Sequence, residues 1–261
     1  MQTFLLIVVA VLGLAVGSFL NVVIYRVPRD ESLAHPSSHC PECGSAVRHR
    51  HNIPVLGWLM LRGRCADCGS PISARYPLVE AGTAVLFVAV AAKFGFSWEL
   101  PAYLYLAAIS VALAVIDLDV MRLPDKIVLP SYVVALVLLA PAVIVERSWA
   151  TAGRALVAAA VLYVGYFILA AMPRGMGGGD LKLAPLIGFY LGWLGWSSVV
   201  IGAFSAFLFG GLVGAALMLL RRANRKTRIP FGPYMLAGAF LAVFAGAPIA
   251  QWYTSLLVPT A

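Results

Sequence analysis

Pro101-Ala-Tyr-Leu-Tyr-Leu-Ala-Ala-Ile-Ser-Val-Ala-Leu-Ala-Val-Ile-Asp117 runs for sixteen residues without a charge and then ends on an acid. A helix crossing the ~30 Å hydrocarbon core needs roughly 20 apolar residues, so this stretch spans once it borrows flanking polar residues. Similar runs cover Thr3–Tyr25, Pro77–Ala92, Ile127–Val145, Ala155–Met172, Ser198–Leu220 and Gly232–Trp252. Leu183–Leu220 is too long for a single span. Gly192-Trp-Leu-Gly-Trp196 reads as a tight interfacial turn that separates a short sixth helix from a longer seventh. The expectation is an all-α polytopic membrane protein of about eight transmembrane helices. No alternating ten-residue pattern is present, and open sheet edges are not tolerated in lipid, so spanning strands are excluded.

Composition agrees. Of 261 residues, 62% are hydrophobic and 11% charged, with a mean hydropathy of +0.92. Soluble domains carry about a quarter charged residues. With the amino terminus outside, sixteen of the 19 lysines and arginines fall in loops on the cytoplasmic side. The positive-inside rule asks for that asymmetry. The net charge of +8 therefore reflects topology and anionic lipid, not nucleic acid. The first apolar stretch lacks a basic leading region and a small-residue cleavage site, so it reads as a retained helix and not a cleaved signal peptide.

One polar insertion interrupts the bundle. The expected division is a first transmembrane helix at 1–25, a tetracysteine insertion at 26–76 and a membrane-embedded core at 77–261. All four cysteines lie in the insertion, as Cys40-Pro-Glu-Cys43 and Cys65-Ala-Asp-Cys68, each followed by glycine. Two such knuckles suit a tetrahedral zinc, and four thiolates leave no open position, so the metal would be structural. The insertion has few large apolar residues, and a metal staple substitutes for a core. Two disulfides are the rival reading, disfavoured in a reducing cytoplasm. His35, His39, His49 and His51 read as surface residues, His39 being a weak substitute ligand.

Only eleven acidic residues exist, and ionisable groups at membrane depth mark function. Asp117 follows its apolar run directly and points into the bundle. Asp119, roughly 200° further round the helix, faces elsewhere. Asp125, after Leu123-Pro124, reads as an N-cap. Asp180 closes Gly175-Met-Gly-Gly-Gly-Asp180 and opens the sixth helix, where the helix dipole favours a carboxylate. Two carboxylates brought together cannot both ionise cheaply, so one keeps a proton while the other acts as base toward water. From spacing alone, catalysis and helix capping are evenly matched readings. The glycine run lacks the Gly-Lys-Ser/Thr ending of a phosphate loop and follows no strand. Gly13 and Gly17, Gly188 and Gly192, and Gly210 and Gly214 are spaced for close helix packing.

Taken together, the chain resembles the type IV prepilin peptidases, leader peptidases that are also N-methyltransferases. The resemblance runs almost end to end. It rests on Gly17-Ser-Phe-Leu-Asn-Val-Val-Ile-Tyr-Arg26, Cys40-Pro-Glu-Cys43, Asn52-Ile-Pro54, Leu61-Arg-Gly-Arg-Cys65 through Cys68, and Arg75-Tyr-Pro-Leu-Val-Glu80. It continues through Asp117, Leu123-Pro-Asp125, Gly175-x-Gly177-x-x-Asp180-x-Lys182 and Pro230-Phe-Gly-Pro233. The glycine-aspartate motif alone would also suit presenilin-like proteases; the tetracysteine insertion narrows it. The resemblance implies catalytic Asp117 and Asp180, supported by Gly175, Gly177, Gly179 and Lys182. It implies a prepilin or pseudopilin substrate cut after glycine at the cytoplasmic face of the bacterial inner membrane. It also implies methylation of the new amino terminus by S-adenosylmethionine, for which no residue here marks a binding site.

Overall fold

In lipid every backbone N–H and C=O has to be satisfied internally, so the apolar runs become helices along almost their whole length. The computed structural model describes residues 1–172, 176–221, 227 and 229–257, leaving out the side chains of 49 and 257. Among the described residues there are nine α-helices and no strand: α1 Gln2–Arg26, α2 Leu56–Met60, α3 Arg75–Phe94, α4 Leu100–Val120, α5 Asp125–Glu146, α6 Trp149–Ala171, α7 Gly178–Leu194, α8 Trp196–Leu219 and α9 Gly232–Leu257. Seven are long and apolar enough to cross a membrane. The eighth expected span is α7, whose 17 residues sit at the lower end of spanning length. The chain is thus a multi-pass membrane protein. The turn expected near 192–196 falls at Gly195, whose φ of +141° favours glycine and lets α8 start immediately after α7.

The chain divides into two compact units, Met1–Ala112 and Leu113–Ala261. In the first, α1 packs along α3. A Cβ on Gly13 would lie 2.6 Å from the Cα of Ala84, and one on Gly17 2.7 Å from the Cα of Glu80. Small residues therefore set the helix separation. Asn21 Nδ2 donates to the Tyr76 carbonyl across the same seam at 3.1 Å. At the end of α1 the buried Arg26 guanidinium donates to the carbonyls of Ser32 and Pro36 at 2.9 and 2.6 Å. That folds the start of the insertion back against the helix.

In the second unit α6 packs on α7 and α8 on α9, and α7 also meets α5, α8 and α9. Gly188 lies against the backbone of Ala158, where an added Cβ would be 2.7 Å from the carbonyl oxygen. Arg154 of α6 donates to the carbonyls of Gly192 and Trp193 at 2.8 and 2.9 Å. These are orphan carbonyls at the end of α7, where a cation is also favoured by the helix dipole. The Gly210 and Gly214 pair does not seat a helix backbone as expected. Gly210 faces the Phe231 ring, and Gly214 faces Ile229. The close α8–α9 approach is made instead by Gly202 and Gly238, with a Cβ on Gly238 falling 2.6 Å from the Gly202 carbonyl oxygen.

Gly188→Leu is therefore expected to lower stability by about 1–3 kcal/mol, because its side chain would meet backbone that cannot yield. Gly153→Ala, with nothing within 4 Å, should be neutral or stabilising by about 0.5–1 kcal/mol. Unfolding in detergent micelles, followed by circular dichroism, measures both.

Candidate active site and metal centre

Asp117 lies three residues from the end of α4, behind the buried Leu113 and Ile116, and is only 5% exposed. Leu118 and Asp119, turned round the helix, are exposed. The phase expected from the sequence is the one found. Beyond Val120 the chain bends at Met121, φ +50°, and Leu123 folds inward before α5 begins. The Leu123 side chain is where three elements converge. A Cβ on Gly179 of α7 would come within 3.0 Å of it, and one on Gly232 of α9 within 3.2 Å. Gly232 also donates its backbone N–H to Asp117 Oδ2 at 3.0 Å.

Asp180 occupies the first turn of α7, half-buried. Its carboxylate accepts the N–H of Gly177. Both acids lie beside Leu123, Asp180 through its neighbour Gly179 and Asp117 through Gly232. Tyr166 of α6 is buried in the same unit. Its ring belongs to an aromatic cluster with Phe207 and Phe231, at centroid distances of 5.7 and 6.5 Å. Phe231 packs in this cluster, and its neighbour Gly232 donates to Asp117. Aromatic packing across α6, α8 and the start of α9 fixes a hydrogen bond to a carboxylate on α4.

The other motif residues do different work. Lys182 does not join the aspartates. Its Nζ binds both oxygens of Asp125 at 2.8 Å, and Tyr132 of α5 donates to the Lys182 carbonyl. Asp125 is accordingly no N-cap: the cap position is Pro124 and no side-chain cap bond forms, because the carboxylate is taken by the lysine of α7. Gly177 is the N-cap residue of α7, and Gly179 gives way to Leu123. Gly175 lies outside the described residues.

In the insertion the two knuckles fold alike. The N–H of Gly44 returns to the Cys40 carbonyl at 2.9 Å and that of Gly69 to the Cys65 carbonyl at 3.0 Å. Both glycines have φ near +70°, a region a side chain would resist. Single antiparallel bridges, His39 with Ala46 and Arg64 with Pro71, close each knuckle. The four sulfurs lie within 4.8 Å of one another. Cys40 and Cys68 are 3.8 Å apart and Cys43 and Cys65 are 4.0 Å apart. A tetrahedron with Zn–S bonds of about 2.3 Å has edges of about 3.8 Å, so the donor set fits zinc. The backbone N–H of Cys43, then the Ser70 hydroxyl, hold the Cys40 thiol down to about 6, toward the thiolate a metal requires. His39 turns its Nδ1 to the Ser37 carbonyl at 3.0 Å.

Residues 11–94 match the bacterial peptidase A24 N-terminal domain, and residues 104–219 match the type IV leader peptidase family. A prepilin leader peptidase/N-methyltransferase of Aeromonas hydrophila is 40% identical over 267 residues, covering 92% of this chain and 91% of the relative. The chain belongs to the type IV leader peptidase family. Two further relatives carry the same name. That of Pseudomonas putida is 39% identical, covering 92% of this chain and 90% of its own. That of Legionella pneumophila is 35% identical, covering 96% and 94%. No solved structure matches the chain at a significant level.

In this leader peptidase family member the sequence singles out the two acids but not what holds them. Gly232 stood only within the quoted Pro230-Phe-Gly-Pro233 run, with no role attached. Tyr166 lay unmarked inside an apolar helix. Neither has a local signal, since the Gly232 bond spans 115 residues of chain.

Gly232→Ala would place a Cβ 2.8 Å from Asp117 Oδ2. A misplacement of about 1 Å, even one made away from the reacting atoms, costs up to about 100-fold, so peptidase turnover should fall about 10–100-fold with the fold retained. Steady-state kinetics alongside thermal unfolding checks this. Chelation, or Cys40→Ser, should release zinc measured by elemental analysis and leave residues 26–76 open to limited proteolysis.

Proposed function

We propose that this chain is an aspartic endopeptidase that removes the basic leader of prepilins or pseudopilins, cutting after glycine at the cytoplasmic face of the bacterial inner membrane. The observation that carries the reading is the convergence on Leu123 of Gly179, the neighbour of Asp180, and of Gly232, whose N–H holds Asp117 Oδ2. In this reading one carboxylate takes a proton from water, and the resulting hydroxide adds to the scissile carbonyl. The other carboxylic acid protonates the carbonyl oxygen. Collapse of the tetrahedral intermediate sends a proton to the leaving amine and returns the pair to its singly protonated state. The Gly232 bond holds one Asp117 oxygen in place, so the other is free to work on water or substrate. Lys182 acts at one remove, by fastening α7 to α5.

Sidedness follows from the sixteen basic residues of 19 that lie in the same set of loops. With the amino terminus outside, the insertion and both aspartates face the cytoplasm, where a prepilin presents its leader. Residues 1–25 then serve as the first span, 26–76 as a zinc-stabilised insertion and 77–261 as the peptidase core. The relatives named leader peptidase/N-methyltransferase support a second activity, S-adenosylmethionine-dependent methylation of the exposed amino terminus.

Asp117→Asn and Asp180→Asn should each lower leader cleavage by about 10²–10⁴-fold without loss of the folded protein. The assay is a purified prepilin substrate with mass spectrometry of the product, which reports the cut and any added methyl group together. Cleavage that survives either change removes that residue from the mechanism. Equal cleavage of an unrelated single-span protein would point to a general intramembrane aspartyl protease.

A further inference from the structure

The short helix α2 carries a bare apolar stripe. Leu56, Leu59 and Met60 are 55%, 55% and 63% exposed, and positions i, i+3 and i+4 share one helix face. Ile53, just before the helix, is exposed too. The stripe is no accident of a loose segment, because the other face is committed. Trp58 Nε1 donates to the Ile72 carbonyl at 2.9 Å, and Gly57 seats against the backbone of His51. The helix cannot roll its apolar side inward without giving up both.

Its height is fixed as well. Val55, immediately before α2, has φ +61°, a conformation a β-branched residue avoids. Its N–H donates at 2.7 Å to Oε2 of Glu80, a buried carboxylate on α3. The 20 residues of α3 measure about 30 Å, the thickness of the hydrocarbon core. Glu80 stands five residues from Arg75, so about 7.5 Å inside that length. Interfacial helices bury their apolar face about 5–10 Å into the headgroup and acyl boundary. A backbone strained onto a buried carboxylate thus pins α2 at that level. There Tyr76 and Leu78 of α3 and Tyr25 of α1 already expose apolar surface.

We propose that α2 lies in the bilayer interface, its Leu56, Leu59 and Met60 stripe in the acyl boundary and the exposed Arg62 and Arg64 on anionic lipid headgroups. Apolar residues with basic residues directly behind them match such a surface in both polarity and charge. The same arginines argue against a substrate leader as occupant, since the leader in the function proposed above is basic and would be repelled. The tetracysteine insertion is then tied to the membrane a third time, beyond the ends of α1 and α3.

The test uses the full-length protein in nanodiscs containing phosphatidylglycerol and phosphatidylethanolamine, with a photoreactive benzophenone amino acid at Met60 or, as control, at the exposed Glu42. After irradiation, mass spectrometry of the labelled peptide should show lipid adducts at position 60 severalfold above those at 42. Zinc content equal to that of the unmodified protein certifies the insertion's fold. Equal lipid yields at the two positions would overturn the proposal. So would adducts at 60 chiefly to a second copy of the chain, or to a prepilin added in excess. Because the readout is lipid contact and not cleavage, it stands or falls separately from the peptidase assignment.

Discussion

Helices surrounded by lipid gain little by hiding apolar side chains from one another, because acyl chains are as apolar as leucine. What holds such a bundle is close backbone approach, and here that approach depends on residues without side chains. Gly13 and Gly17 set α1 on α3, Gly188 sets α7 on α6, and Gly202 with Gly238 sets α9 on α8. Each contact would be opened by a single methyl group. The site inherits the same constraint, since Gly179 and Gly232 make room for Leu123 and Asp117.

This explains how a carboxylate survives deep in the second unit. Among the described residues no lysine or arginine is seen to pair with Asp117. It is met by the Gly232 N–H, which is free because it lies at the start of α9, where helix N–H groups lack partners. The same logic applies to Asp180 at the start of α7, which takes the Gly177 N–H. Both acids use unpaired amides at helix beginnings. The lysine of the glycine-aspartate motif is kept outside, where Asp125 holds it at an exposed position. A cation between the aspartates would compete for the carboxylates; tethering Lys182 to α5 keeps that lysine away.

Much of this was legible in the sequence because lipid imposes long-range regularity. Apolar runs had to be helices, and helical phase separated Asp117 from Asp119 without knowledge of any neighbour. The paired Cys-x-x-Cys knuckles read correctly as a four-sulfur cluster, since each is a local fold closed by its own glycine. What did not read out was pairing between elements. Asp125 looked like a cap because its partner Lys182 is 57 residues away. Gly210 and Gly214 looked like a helix seam because spacing alone cannot tell a backbone from the Phe231 ring. The α2 helix, five residues long, is below the length at which periodicity shows.

The shortness of α7 has a further consequence. At 17 residues it reaches only about 25 Å, less than the hydrocarbon core, and a lipid-exposed helix of that length would thin the bilayer around it. Yet from Leu183 to Trp193 every residue but Pro185 is buried, packed among α5, α6, α8 and α9. Acyl chains hardly touch it. Its solvent is protein, and its position is set by neighbouring helices and by Arg154 at its far end. The depth of Asp180 is therefore decoupled from membrane thickness. A bilayer that stiffens or thickens with growth conditions would move the outer helices before it moved the acid.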